Sequence, residues 1–163
     1  MKRTDEDDRR DQPDTLHRLD AKGQTRPFDF RSVHVDLGQN ADTVYQHVLA
    51  LVQLIIKEDA AAWPGEDEWK RRLPDWALER IRSLSREEAD ELLAATPREQ
   101  WGRLPWDFGS WLDALKVRGW IWWNHRRSGK NLEIVLGIIE VPSHLEAFEE
   151  LIRLACGAVN SSE

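Results

Sequence analysis

"RGWIWWNHRRSGKNLEIVLGIIEV", residues 118–141, is the stretch on which the fold turns: its two halves are rich in aromatic and β-branched residues, and a polar segment separates them. Ser128 and Gly129 suit a two-residue hairpin turn. That turn pairs Trp123 with Ile134, Trp122 with Val135, Ile121 with Leu136 and Trp120 with Gly137. On this register one face carries Ile121, Trp123, Ile134, Leu136 and Ile138, and the other Trp120, Trp122, Val135 and Ile139. Both faces are apolar, so the second needs cover from elsewhere in the chain or from another protein.

Working outward, "WDFGSWLDALKVRG" sets Phe108, Trp111, Leu112 and Leu115 at helical spacing, which predicts a helix over 107–116. The segment before it is charged and broken by Pro64, Pro74, Pro97 and Pro105, so short helices are expected. Asp75 starts one, Ser85 and Glu88 form a capping box for a second that runs to about Ala95, and Thr96 with Pro97 and Glu99 marks a third. This helical insertion, about 64–116, brings Trp69 and Trp76, with Trp63 just before it, as candidate cover for the hairpin. "FDFRSVHVDL" alternates as a strand near 28–37, and "ADTVYQHVLALVQLIIKE" has two adjacent apolar stripes, as a well-covered helix over 41–58 requires. A last amphipathic helix spans 144–156. The order predicts an α+β fold: a small, mostly antiparallel sheet packed by the long helix and the C-terminal helix.

Residues 1–26 mix opposite charges with few apolar side chains and read as a disordered charged tail, with a short helix around 14–20 as the alternative. Residues 27–158 form a single domain, and 159–163 a short disordered C-terminus. The net charge is -7; residues 1–27 balance to zero, so the folded part is acidic. That field opposes nonspecific binding to nucleic acid and favours a basic or mixed partner. One cysteine, Cys156, excludes an internal disulfide framework, no leader or spanning segment is evident, and a cytoplasmic protein is expected.

Phosphate-binding glycine loops, a nucleophile elbow, zinc-binding HExxH and paired CxxC are all missing from the sequence, so no catalytic activity, cofactor or metal is expected. The reading favoured is a non-catalytic protein-binding module, of the kind that inhibits or neutralises a partner as an immunity protein does. The partner is another protein, of basic character, or a second copy meeting the first through the Trp face. Trp120 and Trp122, with Arg126, Arg127 and Lys130 at the hairpin tip, are the candidate contact residues, because Trp and Arg concentrate at binding hot spots. The acidic run Glu66, Asp67 and Glu68 is a second candidate. Two other functions have a motif behind them. The short helices, the 107–116 helix and the hairpin follow the order of a winged-helix nucleic-acid-binding regulator, with 119–141 as the wing, although Asp107, Ser110, Asp113 and Lys116 make a poor groove-reading face. His34 and Asp36 on one strand face, with His47 on the next helix, form a candidate metal or acid-base cluster for a small enzyme.

Overall fold

The second half of the opening stretch is the central strand. In the computed structural model, which describes residues 12–156, β3 (Asn131–Ile138) lies between β1 (Asp29–Asp36) and β2 (Trp120–Ser128), antiparallel to both. Between β1 and β2 run α1 (Ala41–Ile56), α2 (Glu66–Arg72), α3 (Asp75–Leu78), α4 (Arg86–Ala95), a 3-10 segment at Arg98–Arg103 and α5 (Phe108–Lys116); α6 (Leu145–Cys156) follows β3. This is the α+β arrangement the sequence indicates, with helices packed on the sheet. The expected tail residues 1–11 and 159–163, and the domain end at 158, lie outside the described residues.

The hairpin register differs from the sequence expectation at two points. Ser128 pairs with Asn131, so the turn residues are Gly129 and Lys130, and Gly129 takes a φ of 59°, which a residue without a Cβ adopts cheaply. A bulge at Trp123 then adds one residue to β2, so that Trp122 opposes Leu136, Ile121 opposes Gly137 and Trp120 opposes Ile138. One extra residue reverses which face the residues beyond it occupy. Trp120 and Trp122 therefore join Leu132, Ile134, Leu136 and Ile138 on the core face, while Ile121 shares the outer face with Val135 and Gly137. Trp123 meets Phe30 there, with ring centroids 5.3 Å apart.

The core face is sealed by α1, through Val48, Leu51, Val52, Ile55 and Ile56, and by α6, through Ala147, Phe148, Leu151, Leu154 and Ala155. Burying each of the larger of these side chains, from valine to phenylalanine, is worth roughly 1.5–3 kcal/mol. The insertion packs onto the same cluster: Trp69 is buried against Trp63, and Trp76 stacks on His47 of α1 at 4.0 Å.

Cover for the outer face comes from the chain start rather than from the insertion. Residues 12–26, read from the sequence as part of the disordered tail, run along the free side of β2 with a 3-10 turn at Thr15–Leu19. Asp14 N–H donates to Trp123 O at 2.9 Å, and Leu16 is buried. Asp20 accepts from Trp122 N–H at 2.8 Å and ion-pairs with Arg118 at 3.3 Å, with both side chains fully buried. Pro27 then crosses the outer face so closely that a Cβ on Gly137 would lie 2.5 Å from its ring. Composition alone hid this: a half-buried and a buried aspartate look like solvated charge until their partners, about a hundred positions away, are known.

Candidate functional site

Ser85 opens α4 with both halves of the capping box: its hydroxyl accepts from Glu88 N–H at 3.2 Å, and the Glu88 carboxylate accepts from Ser85 N–H at 3.4 Å. The Thr96 hydroxyl donates to Leu92 O at 2.7 Å at the other end, and Pro97 stops the helix. α4 carries Ala89, Leu92 and Leu93, yet none of its residues is buried. An amphipathic helix normally closes its apolar side onto the core, so this one stands out.

Leu92 and Leu93, with Leu84, Trp101, Leu104 and Trp106, line an open groove of about 470 Å³. Trp101 is fixed by its indole N–H, which donates to Thr96 O at 3.0 Å, and it remains 41% exposed with the Arg98 guanidinium 5.7 Å from its ring. Asp107 joins the pieces. Its Oδ2 accepts from Ser110 N–H at 3.1 Å and caps α5, and its Oδ1 accepts from Leu84 N–H at 3.2 Å. Burial pushes the Asp107 carboxyl up, but the hydrogen bonds from Ser110 and the Leu84 amide outweigh it and hold the group below its ordinary value. An aspartate so committed to the ionised form is a poor proton carrier near neutrality. The groove thus presents leucine and tryptophan side chains to solvent.

The residues singled out from the sequence fall elsewhere and do not form one surface. Trp120 and Trp122 are wholly buried. Trp120 packs edge-on against Phe148 at 5.1 Å and under the Arg118 guanidinium at 5.4 Å, while Trp122 donates its indole N–H to Asp14 at 3.0 Å. The expectation that they present a partner surface gives way to internal cover, because the bulge turns both rings toward α6 and the N-terminal segment. Arg127 is engaged by Asp42 at 2.6 Å and lies over the Tyr45 ring at 4.9 Å. Arg126 and Lys130 are exposed at the turn end of the hairpin, whose second strand is central in the sheet. Glu66, Asp67 and Glu68 form the first turn of α2, where Glu68 pairs with Arg71 and Arg72 and Glu66 lies 3.9 Å from Lys70.

His34, Asp36 and His47 are not brought together either. His34 is exposed on the outer face, 3.8 Å from Glu133; Asp36 accepts from Gly38 N–H at 2.9 Å; His47 is stacked on Trp76. No group of three His, Cys, Asp or Glu among the described residues is placed to hold a metal ion. The structure instead assembles a polar chain that sequence reasoning missed: Asp14 Oδ2 lies 2.7 Å from His125 Nδ1, and His125 Nε2 lies 2.9 Å from the Tyr45 hydroxyl. Burial pushes the Asp14 carboxyl up, yet hydrogen bonds from His125 and Trp122, with the charge of His125, hold it below the ordinary range. Its three members come from the N-terminal segment, β2 and α1, so this chain ties the segment to the sheet. Asp14 also caps the 3-10 turn, its side chain accepting from Leu16 N–H at 2.9 Å.

No helix among the described residues is long and apolar enough to cross a membrane. Comparison with protein-family models, with curated proteins and with solved structures returns no match in any of the three.

Proposed function

We propose that this chain is a non-catalytic protein-binding module whose contact surface is the groove of the helical insertion. The observation that supports this is α4, a capped helix with five apolar residues and none of them buried, set beside an exposed tryptophan. Forming and holding such a helix costs conformational entropy that its own packing does not offset, which is reasonable for a surface completed by a partner. Exposed aromatic and leucine side chains in a concave apolar setting provide the anchoring that binding hot spots need.

In the same reading the protein acts in the cytoplasm as an inhibitor or immunity-type neutraliser of a basic partner. The net charge of -7 accelerates encounter with such a partner and disfavours acidic competitors. Selection of a random peptide display library against the folded protein tests the reading. Ligands should emerge whose binding is abolished by Leu92→Asp; ligands indifferent to that substitution, or none at all, overturn it.

A further inference from the structure

We infer that the occupant of the α4 groove is an amphipathic α-helix of another protein, apolar on one side and rich in Lys and Arg beside it. The inference rests on the protein-binding reading above and specifies what is bound.

The backbone chemistry of the groove selects the occupant's conformation. Its walls are α4, the 3-10 segment at 98–103 and the start of α5, whose N–H and C=O groups are largely engaged within or between these elements. A strand laid into the groove would find no ladder there and would bring unpaired backbone groups onto an apolar surface, at a cost of order 1–3 kcal/mol for each one buried. The indole N–H of Trp101, a donor of the kind that orders a polyproline ligand, already serves Thr96 O. A helix brings its backbone groups already satisfied. It also offers a ridge at three- and four-residue spacing to meet Ala89, Leu92 and Leu93, which themselves lie at that spacing along α4.

Charge selects its composition. Glu146 borders the groove from α6 and Asp90 flanks the apolar stripe of α4, with Glu87, Glu91 and Glu99 standing further off, all of them solvent-exposed. The nearby cations are fewer: Arg82, which donates to Pro105 O at 2.9 Å, Arg98, which lies on the Trp101 ring, and the exposed Arg86 of α4. An apolar ridge flanked by ammonium or guanidinium groups therefore meets leucine and tryptophan in the middle and carboxylates at the rim.

The test uses the full chain and labelled peptides of roughly 18 residues, about five turns. One has Leu at i, i+3, i+4 and i+7 with Lys elsewhere, one replaces Lys by Glu, and one has the Leu and Lys alternating so as to favour a strand. Fluorescence anisotropy should give saturable 1:1 binding of the Leu/Lys helix, at least about tenfold tighter than of the other two and weakened by added salt. Leu92→Asp, and independently Trp101→Ala, should each weaken it about tenfold or more while circular dichroism stays unchanged. Equal binding to the Leu92→Asp protein means nonspecific charge attraction and overturns the inference. Preference for the alternating peptide with loss on Leu92→Asp overturns the helical occupant but leaves the protein-binding reading standing. No peptide of any pattern sensitive to Leu92→Asp overturns both. Sedimentation of the protein alone closes the remaining route: a dimer that Leu92→Asp dissociates would make a second copy the occupant and overturn the inference.

Discussion

Asp20 shows how much one side chain carries here. Its carboxylate accepts from the Trp122 and Lys22 N–H groups and ion-pairs with Arg118, whose carbonyl in turn receives the Lys22 ammonium. Breaking a buried pair by removing one partner costs about 3–5 kcal/mol, because the other charge stays behind uncompensated. Asp20→Ala is therefore expected to lower the unfolding free energy by about that amount, a large share of the roughly 5–15 kcal/mol of a typical domain, and urea denaturation measures it. Asp42→Ala removes the partner of Arg127 from a position 93% exposed and should barely move the midpoint, although that pair is the shorter one at 2.6 Å. Asp14 gives a pH signature. Its folded carboxyl is held below the ordinary 3.8, so its contribution is present above that value and is lost as pH falls through the folded one. Asp14→Asn should flatten the acid limb of a stability-against-pH curve; an unchanged limb would mean the carboxylate makes no net contribution.

At the scale of elements, the contrast lies between α4 and β2. Leu92→Asp and Leu93→Asp are expected to leave stability within about 0.5 kcal/mol, as for surface positions, whereas Trp120→Ala should cost about 3–5 kcal/mol by opening a cavity against Phe148. Thermal denaturation of the three variants distinguishes the two locations. What the sequence disclosed at this scale followed from local rules. The Ser85–Glu88 box and the 3.6 period of Phe108, Trp111, Leu112 and Leu115 are decided within a few residues, and both are found. The bulge at Trp123 escaped because a two-residue turn assumed at Ser128 and Gly129 gives a plausible regular ladder, and the faces of Trp120 and Trp122 were then assigned wrongly. The groove was equally hidden. Leu92 and Leu93 have the pattern of ordinary core residues, and periodicity reports which side of a helix is apolar without saying what meets it.

For the whole molecule, residues 12–26 are structural. Deleting residues 1–26 removes Asp14, Leu16 and Asp20 together, leaves Arg118 buried without its counter-charge and opens the side of β2 that these residues cover. Such a protein is expected to unfold at much lower urea and to aggregate through the uncovered strand; a monodisperse truncated protein of unchanged stability would contradict that account. Its failure would differ from that of Leu92→Asp, which touches the groove and spares the sheet. The link between Asp20 and Arg118 also bears on biosynthesis. Ninety-eight positions separate them, so a chain held on the ribosome before residue 118 has emerged keeps the acid without its guanidinium. Contacts of such long sequence separation close late. The segment that carries Asp20 is thus among the last to find its place, and nascent-chain accessibility of Asp20 should end only after the hairpin has cleared the exit tunnel.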